Sequence, residues 1–154
     1  MLGVGESAPD FHLRDIEGHE KSLRDFTASK PTLVAFFKIS CPVCQMTAPF
    51  LERLAHSNQL EVIGVSQDDA EATSEFREEY GVTFSTLLDE EERGYPASNR
   101  YGIEYVPTLF LVEPSGEISM SGTGFCKRDL ESIGRRIGVP AFRPGEKVPE
   151  FRAG

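Results

Sequence analysis

The sequence has no tryptophan and only three cysteines, three histidines and three methionines. Three cysteines are too few for a disulfide scaffold, and a chain of 154 residues does not need one, because it is long enough to bury its own core. Long apolar runs are also missing. The longest, through Leu33, Val34, Phe36 and Phe37, falls far short of the roughly 20 residues that cross a bilayer. The opening Met1-Leu2-Gly3-Val4-Gly5-Glu6 lacks both the basic start and the apolar core of a secretory signal. The expectation is a cytoplasmic chain as it stands, or a periplasmic or other extracytoplasmic one if it is a trimmed mature form. Positive charge is scarce as well: 16 Lys and Arg stand against 25 Asp and Glu, a net charge of −9. Such a surface repels phosphate backbones and gives a nucleic-acid partner no electrostatic support. None of this bears on oligomeric state.

What is present reads as one α/β domain over residues 1–138 followed by an extended tail over 139–154. Phe11 and Leu13 alternate with polar neighbours before an Asp15–Gly18 turn, and Glu20–Ser22 can return as a small hairpin. Thr32–Ile39 is a continuous apolar run after Pro31, the pattern of a strand buried on both faces. A helix follows, with Pro42 in its first turn, Met46, Phe50, Leu51 and Leu54 on one face, and Pro49 as a kink. The spacing then predicts strands over Leu60–Ser66, Phe84–Leu88, Thr108–Val112 and Glu117–Ser121. Helices are predicted over Ala70–Tyr80, Pro96–Tyr101 and Lys127–Ile137. Alternating strands and helices closed by a hairpin and a helix give a sheet of mixed direction. The tail holds three of the ten prolines. Its Gly145-Glu146-Lys147-Val148-Pro149-Glu150-Phe151 echoes Gly5-Glu6-Ser7-Ala8-Pro9-Asp10-Phe11. The echo is either coincidence in a permissive pattern, a tail that docks like the N-terminal arm, or a chain that continues past Gly154.

The chemistry concentrates in Cys41-Pro42-Val43-Cys44, where a buried strand runs into C-x-x-C at a helix start. With so few other ligands, the motif means redox chemistry or half of a metal site. At the helix N-terminus, free N–H groups and the positive dipole end favour a Cys41 thiolate, the attacking species in disulfide exchange. Cys44, one turn further in, is less exposed and placed to resolve a mixed disulfide. Pro42 and Val43 lie between the two thiols, where a substrate passes.

Strand-C-P-x-C-helix, Pro49 eight residues after Cys41, and Val106-Pro107-Thr108 before a later strand resemble thioredoxin-fold proteins. The opening Gly5-Glu6-Ser7-Ala8-Pro9-Asp10-Phe11-His12-Leu13, with Gly18 and Leu23, resembles the redoxin branch. That branch includes the alkyl hydroperoxide reductase/thiol-specific antioxidant (AhpC/TSA) proteins and the TlpA/ResA-like disulfide reductases. The resemblance covers about residues 5–138 on motif spacing. It implies a thioredoxin-like three-layer fold, a mixed central sheet flanked by helices, with an N-terminal β-hairpin extension. It further implies a thiol–disulfide oxidoreductase active in redox homeostasis and antioxidant defence. No cofactor is required, and the partner is a thiol or disulfide protein or a small thiol reductant. The resemblance also implies a cis bond before Pro107, facing the cysteines, with Val106 backbone groups pairing to a substrate chain.

The sequence departs from the thioredoxin pattern at two positions. Ser40 stands where thioredoxins have tryptophan and is expected to cap the helix. Ala35 stands where many bury an aspartate, so a proton shuttle for Cys44 must come from elsewhere. TlpA/ResA-like proteins place an acid just after the second core strand, where Asp68 and Asp69 are the candidates, although two acids before a helix also read as N-terminal caps.

Two rival functions follow from the same motif. A thiol peroxidase of the peroxiredoxin-related superfamily needs Pro-x-x-x-Thr/Ser-x-x-Cys, but counting back gives Val34 and Lys38 from Cys41, or Phe37 and Cys41 from Cys44. A copper- or zinc-binding module needs more ligands than Cys41, Cys44 and Cys126 supply, and His12, His19 and His56 form no spaced set. The expectation is therefore no metal. Cys126 is either a third redox thiol or a small residue packed at a helix start.

Overall fold

A computed structural model describes residues 1–154. Its centre is β3 (Thr32–Phe37), every residue of which is buried. A strand buried on both faces belongs in a sheet interior. β3 pairs parallel to β4 (Glu61–Ser66) on one side and antiparallel to β6 (Thr108–Val112) on the other. β5 (Ser85–Leu88) extends the sheet parallel to β4, and β7 (Ile118–Thr123) lies antiparallel to β6. The predicted N-terminal hairpin, β1 (His12–Asp15) and β2 (Glu20–Ser22), joins through β1, antiparallel to β5. The seven strands run in the order β2-β1-β5-β4-β3-β6-β7.

Successive side chains of a strand point to opposite faces, and β3 feeds two cores accordingly. Leu33, Ala35 and Phe37 pack with residues of α2 (Pro42–Ala55), α3 (Ala70–Tyr80) and α5 (Lys127–Ile137). Val34 and Phe36 pack on the other side with Leu23 of α1 (Leu23–Thr27) and with Ala97 and Tyr101 of α4 (Pro96–Tyr101). The result is the three-layer α/β fold that the resemblance implies, with the mixed sheet that the alternation of elements predicts.

Strand direction builds the functional end. Because β3 and β4 are parallel, with Phe37 opposite Ser66, the segments after both strands emerge side by side. Because β6 is antiparallel, with Phe36 opposite Thr108, its entry at Val106-Pro107 lies at that same end. Thr108 opposes Thr123 in turn, which adds the segment after β7 to the cluster.

Three local features differ from expectation. β3 stops at Phe37 rather than Ile39, because the Ile39 N–H goes to the Asp68 carboxylate instead of a ladder partner. α1 appears just after β2, started by a capping box in which Ser22 and Asp25 exchange backbone and side-chain hydrogen bonds. Finally, β8 (Phe125–Cys126) and β9 (Phe151–Arg152) form a small antiparallel ribbon between the last helix start and the tail. The tail does not dock like the N-terminal arm. That arm bonds Gly5 and Ala8 to carbonyls of Ile118 and Gly116 and buries Phe11, whereas the tail pairs with β8 and leaves Phe151 56% exposed.

Candidate active site

α2 begins at Pro42, whose fixed φ suits a first helical position, so the residue before it is the cap. That residue is Cys41, in extended conformation, and its own sulfur accepts the Cys44 N–H at 3.2 Å. Ser40 is exposed and is not the cap, contrary to expectation, because the helix starts one residue too late for it. The sulfur therefore faces the first-turn N–H groups at the positive end of the helix. The Cys41 thiol is half-buried and also donates to the Val106 carbonyl at 3.4 Å.

Cys44 is buried, and that burial pushes its thiol well above the ordinary thiol range. Its hydrogen bond with Cys41 and the nearby charges of Cys41 and Asp68 push the same way, while a backbone hydrogen bond from Lys38 opposes them. An apolar pocket beneath it is lined by Ala35, Phe37, Thr47, Phe76 and Pro107. The Val106–Pro107 bond is cis. Pro42 is exposed at the mouth, and half-buried Val43 holds its carbonyl on the Thr47 hydroxyl at 2.6 Å.

The loop that carries Cys41 is clamped at one peptide group. Asp68 Oδ2 accepts the Ile39 N–H at 2.8 Å, and Gln45 Nε2 donates to the Ile39 carbonyl at 2.9 Å. Asp69 faces elsewhere and caps α3 by accepting the Ala72 N–H at 2.8 Å. Cys126 is half-buried at the start of α5, makes no side-chain cap and lies opposite Phe151 in the ribbon. Thus Cys41, Cys44, Val106, Pro107 and Asp68 come together, and Asp69 does not join them. Gln45 carries no sequence signal beyond being polar in the first turn of an apolar helix. His12, His19 and His56 are exposed beside carboxylates, and no three His, Cys, Asp or Glu side chains gather as a metal site.

This geometry, two thiols one turn apart at a helix start facing a cis-proline turn, defines a thioredoxin-fold thiol chemistry. The AhpC/TSA family model matches residues 4–121, and the chain belongs to that family. Its relatives place it in the thiol–disulfide oxidoreductase branch. It is 31% identical to thiol-disulfide oxidoreductase ResA of Geobacillus kaustophilus over 135 residues, 84% of this chain and 75% of the relative. It is 33% identical to the ResA of Halalkalibacterium halodurans over 128 residues, 80% and 70% of the two chains. Among solved structures, the thioredoxin domain of a thiol-disulfide oxidoreductase from Bacteroides vulgatus superposes with a TM-score of 0.79 at 25% identity. That match covers 89% of this chain and 99% of that one. The protein is an oxidoreductase of the thiol–disulfide class, and no helix in it is long and apolar enough to cross a membrane.

Proposed function

We propose that Cys41 is the attacking thiol and Cys44 the resolving thiol of a dithiol–disulfide exchange. The observation that carries this is the Cys41 sulfur at the helix N-cap, holding the Cys44 N–H and touching the Val106 carbonyl. The Cys41 thiolate attacks one sulfur of a partner disulfide, forming a Cys41–partner bond and releasing the other partner sulfur as a thiolate, which takes up a proton. Cys44 then gives up its proton and displaces the partner. The Cys41–Cys44 pair has lost two electrons, and the partner has gained them as a dithiol. A thiol protein or a small thiol runs the sequence backwards to restore the pair.

Val106 and Pro107 orient the substrate strand, and Pro42 and Val43 form the lip beside it. Asp68 is the proposed proton acceptor for Cys44, because its carboxylate is held on the Ile39 N–H of the loop that carries Cys41 and its charge opposes that thiol's ionisation. The capping bond of Asp69 argues against that role for it. Residues 1–138 are proposed as the catalytic unit and 139–154 as its appendage. Cytoplasmic residence, or an extracytoplasmic one for a trimmed form, is decided by cell fractionation.

Reduction of insulin disulfides tests the assignment. Cys41→Ser is expected to fall to background. Cys44→Ser is expected to accumulate a mixed disulfide on Cys41 that mass spectrometry detects. Normal turnover by Cys41→Ser would overturn it.

A further inference from the structure

The tail returns to the thiols. It leaves α5 at Gly138 and buries Ala141. Phe142 then stacks on Phe50 and Phe125 at ring separations of 4.9 and 6.1 Å. Arg53, in the last turn of α2, holds the tail through the Ala141 carbonyl at 3.0 Å and a two-bond ion pair with Glu146 at 2.6 and 2.8 Å. From Arg53 back to Cys41 is about 18 Å along the helix at ~1.5 Å per residue. Residues 146–154, extended at ~3.3 Å each, reach about 26 Å. The segment therefore spans α2 from its far end to the thiol end.

At the thiol end the contacts are those of a bound strand. The first N–H of α5, which no carbonyl within the helix can serve, is donated by Lys127 to the Glu150 carbonyl at 3.0 Å. The register then alternates, so Arg152 opposes Phe125 in a hydrogen-bonding position and Phe151 opposes Cys126 in a non-hydrogen-bonding one, side chain beside side chain. The Arg152 carbonyl lies so near Gly124 that an added Cβ there would sit 2.5 Å from it. Gly154 ends on the site itself. A Cβ at Gly154 would overlap the Val106 carbonyl oxygen and lie 2.7 Å from the Val106 carbonyl carbon, the same carbonyl that the Cys41 thiol touches.

We infer that residues 150–154 are an internal occupant of the substrate-strand position, paired to β8 and seated on Val106, which a polypeptide disulfide must displace before it reaches Cys41. This rests on the oxidoreductase reading above. The tail selects by size: a small disulfide needs only the lip at Pro42, whereas an extended chain needs the backbone positions that the tail holds.

Arg152→Pro tests this, since it removes a ladder N–H at an exposed position without touching the core. Gly154→Val, which crowds the Val106 carbonyl, is the second variant. Hydrogen exchange at the Lys127 amide reports docking independently of turnover. That amide is expected to be protected in the wild type and to exchange roughly tenfold faster in Arg152→Pro, the effect of losing one or two ladder bonds. Insulin reduction should rise by about the same factor in both variants. Reduction of a small aromatic disulfide should stay within about twofold, and a peptide of residues 146–154 added in trans should slow the Arg152→Pro protein. An unprotected Lys127 amide in the wild type overturns the inference whatever the activity. So does an unchanged insulin rate in a variant whose amide has become labile. Normal turnover by Cys41→Ser would instead strike the oxidoreductase assignment and leave the exchange result standing.

Discussion

Buried under the helix start, Cys44 sits among Ala35, Phe37 and Thr47 with the Asp68 carboxylate near enough to oppose its ionisation. Resolving a mixed disulfide nonetheless requires that proton to leave. Asp68→Asn separates the two influences of this carboxylate, because an amide oxygen still accepts the Ile39 N–H while the charge is gone. Without that charge, Cys44 should ionise at lower pH, though still above an ordinary thiol because burial remains the larger cause. If Asp68 also takes the proton, resolution at neutral pH should slow by about a hundredfold despite the easier ionisation. Thiolate absorbance across a pH titration checks the first outcome, and the release rate of a Cys41 mixed disulfide checks the second. At this scale the closeness of Cys41 and Cys44 was legible from C-x-x-C at the start of a helix, since an interval of three residues is about one helical turn. Asp68 and Asp69 were not separable, because which of two adjacent acids turns inward depends on the strand register. Gln45 was invisible, because its partner is a backbone carbonyl whose position only the folded loop defines.

Strands β3 and β4 meet at Gly64, where a Cβ would lie 2.9 Å from the Phe37 ring and 3.1 Å from the Phe84 ring. Gly64→Ala should therefore cost about 1–3 kcal/mol through overpacking, read as a lower denaturant midpoint. Phe37 also walls the pocket under Cys44, so the same variant should slow disulfide exchange, whereas an error confined to stability would leave the folded protein's rate unchanged. The helices with strong punctuation were the readable elements. α3, α4 and α5 all end at glycines in left-handed conformation, Gly81, Gly102 and Gly138, and their ranges follow from sequence. α1 escaped notice because its five residues are too few for periodicity and its capping box overlaps the end of β2. The β8–β9 ribbon escaped because two-residue strands 25 positions apart carry no local pattern, and only the docked tail brings them together.

Across the whole molecule, the tail's attachment to α2 depends on a charge. The Arg53 guanidinium holds the Glu146 carboxyl down at about 2, below its ordinary 4.5. A depressed carboxylate contributes its docking energy above the ordinary value and loses it as pH falls toward the depressed one. The Glu146 anchor should therefore be complete at neutral pH and weaken between about pH 4.5 and 2. Amide signals of residues 139–154 in a pH titration by nuclear magnetic resonance would show it, and Glu146→Gln should show the same loosening at neutral pH. Signals unmoved in that variant would place the anchoring in the Phe142 stack instead. The position of Gly154 against Val106 has a further bearing on how the protein is handled. Anything joined after it starts beside the reactive sulfur, at an effective concentration on the order of millimolar for a short flexible link. A cysteine in a segment joined there would thus compete with every diffusing partner for Cys41.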